Sequence, residues 1–248
     1  MSASESEVLP SKDRVDPVPE HEESLSTRIG GWLRSHYLAL INIALAVYVI
    51  MPLLAPVFMK TGQTRAADVI YRFYKPLCHQ LAYRSFFFFG DQPVYPRQLA
   101  EVEGLKTYEE VSGLDSQDQT AAMVYRGNEQ VGYKVALCQR DIAIYASLLL
   151  FGLIFALAGR QIKPLPWAVW ILLALGPMAL DGASQLISQQ EIPALGWFAM
   201  RESTPFLRVF TGAMFGWFTA WFGLPSIEEM MNEGKSTTRS IVTPSEGA

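Results

Sequence analysis

Four long stretches of this chain carry no charged residue. Leu38 to Met59 spans 22 residues, Ile142 to Gly159 18, Leu165 to Leu180 16 and Val209 to Ile227 19. A helix needs about 20 mostly apolar residues to cross the hydrocarbon core of a bilayer. The first stretch meets that length outright. The others reach it with their flanks, which gives spans over about 37–59, 137–159, 164–187 and 205–227. Buried core helices of a soluble protein are the alternative, and four such segments in one chain argue against it. The first stretch does not read as a signal peptide. A long acidic tail precedes it, no small-residue cleavage site follows it, and it exceeds the usual apolar core of a signal. The expected fold is all-α, a multi-pass transmembrane bundle of four spans.

The polar segments between the spans read differently from one another. Residues 1–30 form an acidic tail rich in Ser, Glu and Pro, a composition unable to bury enough apolar surface to order itself. Trp32 and Tyr37 flank Arg34 ahead of the first span, as an interfacial anchor would. Over 66–89, Val69, Ile70, Phe73, Tyr74, Leu77 and Leu81 recur at helical spacing, interrupted by Asp68, Arg72, Lys75 and Arg84. That pattern predicts an amphipathic or re-entrant helix with Phe86 to Phe89 as its buried tip and Gly90 as its end. Residues 91–136 are a polar insert with eight acidic residues against four basic ones. An insert of this length reads as an extramembrane cap or binding loop, with a short helix near Arg97 to Val111. The segment before the fourth span holds the amphipathic Trp197, and 228–248 reads as a flexible tail.

Charge fixes an orientation. Arg28 and Arg34, Arg160 and Lys163, and Lys235 and Arg239 fall on one side of a four-span bundle. The positive-inside rule makes that side, and both termini, cytoplasmic. Lys60, Arg65, Arg72 and Lys75 pull against this, but the loop they open is longer than the range in which the rule acts; were 66–89 itself to span, the orientation of everything after it would flip. The net charge of −4 and the lack of a basic stripe give no sign of a nucleic-acid partner.

With four spans, every polar cluster at a span end falls on the outer side. The clusters are Cys78-His79-Gln80, Cys138-Gln139-Arg140-Asp141, Asp181-Gly182 with Gln185, and Arg201-Glu202-Ser203-Thr204-Pro205 with Arg208. Ionisable groups at membrane depth are costly and mark functional sites by default. Cys78 and Cys138 are the chain's two cysteines. A disulfide between them would close a loop of about 60 residues and contribute roughly 4 kcal/mol in the chain-entropy model. The competing reading is a metal such as zinc, held by Cys78, His79, Cys138 and Asp141, whose side chains are types that zinc accepts. Cys138 and Asp141 share a helix face, whereas neighbours at 78 and 79 would diverge on a helix. Asp181 needs a counter-charge, for which Arg208 or Arg140 are the expected partners. Arg140, Gln185, Arg201, Ser203 and Arg208 would then bind an anionic group through guanidinium forks and hydroxyls. Asp181 and His79 are the candidates for acid–base work. Gly212 and Gly216 form a small-xxx-small pair suited to close helix packing.

Taken in order, these clusters resemble the domain of unknown function 2085 family of prokaryotic membrane proteins. The resemblance rests on Cys78-His79-Gln80 with Arg84-Ser85-Phe86, Leu137-Cys138-Gln139-Arg140 with Ile144-Tyr145, Asp181-Gly182 with Gln185, and Arg201-Glu202-Ser203 with Arg208 and Thr211-Gly212. It covers about 66–222 apart from the insert, and it implies a multi-pass protein of the prokaryotic cell membrane. The family pattern often places cysteine where Asp141 stands. Aspartate there keeps a metal ligand and loses a disulfide partner. In the last third, Asp181, Gln185, Arg201 and Gly212 also resemble the VanZ-type membrane domain, which implies a cell-envelope lipid context. Neither resemblance implies a reaction.

Two functional classes remain. One is an enzyme or binder that takes an anionic or lipid-linked head group from the membrane lipid. The other is a non-catalytic accessory subunit, partnered with other membrane-protein subunits, in which the same residues form a disulfide and ion pairs. An inverted-repeat carrier would need more spans than one such chain supplies.

Overall fold

The structure is a computed structural model that describes residues 25–189 and 201–242. Most of the acidic tail and the Trp197 segment lie outside the described residues. The chain divides into two units, one through His36 and one from Tyr37. Helix α1 (Leu25–Lys60) begins well ahead of the expected span. Its opening turns carry Leu25, Ile29, Trp32 and Leu33 at helical spacing, so residues 25–30 are helical rather than part of a disordered tail. In the first unit, the Trp32 and His36 rings stack with centroids 4.7 Å apart.

In the second unit, α5 (Gln139–Leu157) packs along α8 (Pro205–Val242). Glycine is what lets the two helices meet. A Cβ on Gly212 would lie 2.7 Å from the Arg140 carbonyl oxygen, and one on Gly216 would strike Ile144 O and Ser147 Oγ. The small-xxx-small pair therefore serves packing. Farther along, Tyr37, Leu38, Phe151, Phe155, Ala220 and Leu224 form a buried cluster. Helix α8 continues past Ile227 to Val242, so the stretch expected to be a flexible tail is helical up to that residue.

Between α5 and α8 the chain forms α6 (Trp167–Trp170), a widened π turn (Ile171–Leu175) and α7 (Gly176–Gln189). Pro177 has no N–H to give the carbonyl four residues back and crowds it, and the widened turn absorbs that conflict. Among the described residues, three helical segments are long and apolar enough to cross a membrane: Arg28–Lys60, Gln139–Leu157 and Trp167–Ser188. Ile43, Val47 and Ile50 of α1, Leu150 and Leu157 of α5, and Leu172 and Leu180 of the third segment are exposed. Apolar faces of this extent suit lipid rather than water.

The expectation of an all-α fold is corrected. Strands β1 (Ser85–Phe88), β2 (Gly127–Asn128) and β3 (Gly132–Cys138) form an antiparallel sheet in the order β1-β3-β2. The supposed helix over 66–89 is three things. Helix α2 (Thr64–Tyr74) has 11 residues, about 16 Å at 1.5 Å each, too short to span. A loop carrying Cys78 and His79 follows, and Phe86 to Phe88 then belong to β1. An aromatic run has no period to separate a strand from a buried helix tip; β1 is decided by its pairing, Phe87 opposite Lys134 and Phe88 opposite Tyr133.

The insert is folded. It supplies α3 (Tyr108–Ser112), α4 (Gln119–Val124) and the β2–β3 hairpin. Thr107 and Glu110 close a capping box on α3, and Asp118 caps α4 by accepting from Ala121 N at 2.9 Å. The short helix thus lies at the C-terminal end of the expected 97–111 stretch, with a 3₁₀ turn over Gln98–Ala100. Leu81, Tyr83, Phe87, Tyr95, Tyr108, Ala122 and Val131 bury one another beneath it. A second cluster joins Ala55 of α1, Ile70, Tyr71 and Tyr74 of α2, and Ala136 and Leu137 of β3.

Candidate functional site

Strand β3 runs straight into α5, and this junction builds the site. Cys138 ends the strand and caps the helix, accepting from Asp141 N at 3.5 Å through its sulfur. Opposite, the loop after α2 presents Cys78, whose Sγ accepts from Gln80 N at 3.5 Å. The loop can turn there because Gln80 adopts a left-handed conformation, φ 52°, which is uncommon for a residue with a side chain. Three bonds hold it. The Gln80 side chain donates to Tyr71 O at 2.9 Å, the Gln80 carbonyl accepts from Lys134 Nζ at 2.7 Å, and Tyr71 OH donates to Lys134 O.

Lys134 has no exposed surface, and its ammonium also donates to Met123 O at 2.7 Å. Burial lowers its pKa from 10.5 to about 7. The Cys78 thiol is also shifted down, chiefly by its hydrogen bond with Cys138. The ligand atoms of Cys78, Cys138 and Asp141 lie within 4.8 Å of one another. Both cysteines are free thiols. His79 is outside that trio.

Cys78, Cys138 and Asp141 form one wall of a cavity of about 440 Å³. Arg84, Arg97, Arg140 and Arg208 also line it, with His79, Tyr83 and Gln119. The arginines are held from behind by two buried carboxylates. Glu202 accepts from Arg84 Nε at 3.0 Å, from Arg97 NH1 at 3.4 Å and from Arg208 NH2. Asp181 accepts from Arg140 NH2, from Arg201 NH2 at 3.2 Å and from Ser203 Oγ at 2.8 Å. Arg97 is further fixed by its Nε–H donating to Ser116 Oγ at 3.0 Å, and its guanidinium lies 5.1 Å from the Tyr83 ring centroid.

Of the two expected partners of Asp181, Arg140 is present and Arg208 is not. Arg208 turns to Glu202, and its Nε–H donates to Ser203 O at 3.2 Å. Gln185, with its amide oxygen facing these donors, accepts from Arg208 NH2 at 3.3 Å and from Ser203 N. Among the expected anion-binding residues, Arg140 and Arg208 therefore reach the cavity, whereas Gln185, Arg201 and Ser203 stand behind it. Asp181 does not line the cavity either. Glu202, Arg84, Arg97 and Lys134 were not among the expected site residues. The first two occur inside the quoted motifs, but the insert's Arg97 and Lys134 carry no local signal: their roles arise from pairing across the fold.

The four polar clusters thus meet in one place. Five guanidiniums surround two carboxylates, an excess of positive charge that Asp141 alone does not cancel. Arg140 Nε is buried without a hydrogen-bond partner among the described residues. The first turn of α5, with its positive dipole end, opens beside this cavity.

Residues 129–222 match the family described as "Predicted membrane protein (DUF2085)". An uncharacterized protein of Methanocaldococcus jannaschii is 25% identical over 205 residues, covering 80% of this chain and 97% of that protein. No solved structure matches.

Proposed function

We propose that this chain is a four-span membrane protein whose cavity binds the anionic head group of a membrane lipid or a lipid-linked substrate. The observation that carries the reading is the imbalance of five arginines against two buried carboxylates, with Arg84, Arg97, Arg140 and Arg208 turned to the cavity. A phosphate would complement that charge through bidentate guanidinium bonds, and the amide end of α5 would add to the attraction. In this reading Asp181 and Glu202 orient the arginines, and His79 is the cavity's candidate proton carrier.

The fourth span is the buried start of α8 through about Ile227. Arg208, the glycines and Trp217 and Trp221 dilute its apolar character. In this reading the cavity faces the extracytoplasmic side and both termini are inside, which the distribution of Lys and Arg supports. A structural role as an accessory subunit is favoured by one observation: Arg97 and Arg208 are nearly closed from solvent, with side chains 9% and 6% exposed.

Thermal unfolding of the detergent-purified protein tests the binding reading. Phosphatidylglycerol in the micelle should raise Tm, phosphatidylcholine should not, and Arg140→Ala should abolish the response. Inorganic phosphate as a separate titrant distinguishes a free anion from a lipid head group. No response to any phosphate, or an undiminished response in Arg140→Ala, would leave the ion pairs as structural.

A further inference from the structure

We infer that Cys78, Cys138 and Asp141 form a site for one zinc-class divalent ion in the wall of the arginine cavity. The three come from separate segments: the loop after α2, the end of β3 and the first turn of α5. Their ligand atoms nevertheless converge within 4.8 Å. Tetrahedral zinc with Zn–S bonds near 2.3 Å sets its sulfurs ~3.8 Å apart, so a closure of at most about 1 Å, within reach of side-chain rotation, completes the arrangement.

Each sulfur is also held in position by a backbone amide. Cys78 Sγ accepts from Gln80 N and Cys138 Sγ from Asp141 N, both at 3.5 Å. The hydrogen bond between the two sulfurs lowers the Cys78 thiol and raises that of Cys138, so binding an ion would release the Cys138 proton. Two thiolates and a carboxylate crowded together would repel one another; a divalent cation removes that repulsion. The two sulfurs select a thiophilic ion over magnesium or calcium.

All three residues line the cavity. Three protein ligands leave a fourth position toward the cavity for water or a substrate oxygen, which is the arrangement of catalytic rather than structural zinc. The ion lies on the same cavity as Arg84 and Arg97, where it would polarise an oxygen of a bound anion. This last role rests on the anion reading; the ion itself does not.

The test is elemental analysis of detergent-purified protein beside a count of reactive thiols. The expected result is about one zinc per chain, with both thiols reactive only after chelation. Cobalt added to the chelated protein should produce a thiolate-to-metal charge-transfer absorption, a readout that needs no variant. Cys78→Ser and Cys138→Ser should lose the ion, Asp141→Asn should bind it more weakly, and His79→Gln and Arg140→Ala should retain it. A Cys78–Cys138 disulfide in metal-free protein would overturn the site, as would metal retained equally in both serine variants. Loss of the lipid response with the metal intact would overturn the anion reading alone.

Discussion

Replacing Lys134 with methionine should change how stability depends on pH more than it changes stability at any one pH. In the folded chain burial holds the Lys134 pKa near 7, against an ordinary value of 10.5. Between those values the unfolded chain binds a proton that the folded chain does not, so stability rises with pH across the window and is flat below it. The full difference of 3.5 units corresponds to about 5 kcal/mol at 1.36 kcal/mol per unit. From pH 7 to pH 9 the gain is about 2 kcal/mol, because titration is only half complete at the lower end. Methionine removes this term. It also strips the donor from Gln80 O and Met123 O, at a cost of about 1–3 kcal/mol each. The variant should therefore be clearly weaker at pH 9 and approach the parent at pH 7. Unfolding in mixed micelles, followed by tryptophan fluorescence at both values, measures this. Tyrosines and Cys78 titrate in both proteins, so their contributions largely cancel in the difference. Parallel lines for parent and variant would refute the argument and place the Lys134 amine in contact with water.

Three further outcomes are expected. Glu202→Gln leaves Arg84, Arg97 and Arg208 without their shared carboxylate and should destabilise the protein by about 3–5 kcal/mol, read from the same unfolding assay. Gly216→Leu drives a side chain into Ile144 O and Ser147 Oγ and should loosen the α5–α8 contact by at least about 1–3 kcal/mol, whereas Gly182→Ala, which meets nothing, should be neutral. Thr107→Ala breaks the capping box of α3 and should cost about 1 kcal/mol, seen as faster hydrogen exchange in the insert without loss of the membrane helices.

The long apolar stretches could be read directly because a membrane constrains each helix by its own composition, independently of its neighbours. A four-span reading predicts that the polar clusters meet, since alternate span ends would share a side. Pairings were a different matter. Glu202 lies 118 residues from Arg84 and 105 from Arg97, and no periodicity links such positions. Lys134 looked like one more charge in a solvated insert. Its burial comes from strands on both sides of β3, from α4 above and from the Gln80 turn, none of which is local in the chain. The misreading of Phe86 to Phe89 has the same origin: a strand is defined by its partner, and β3 begins more than forty residues later.

The same long separations set an order of assembly. Arg84 and Arg97 are synthesised more than a hundred residues before Glu202, and Arg140 well before Asp181. Until Glu202 is made, Arg84 and Arg97 lack the buried carboxylate that they share in the finished fold. The ion-pair network is therefore completed only once the segment carrying Glu202 has been made. A chain that stops short of Glu202 would display that uncompensated charge, a distinction by which a membrane quality-control protease could tell an unfinished copy from a finished one.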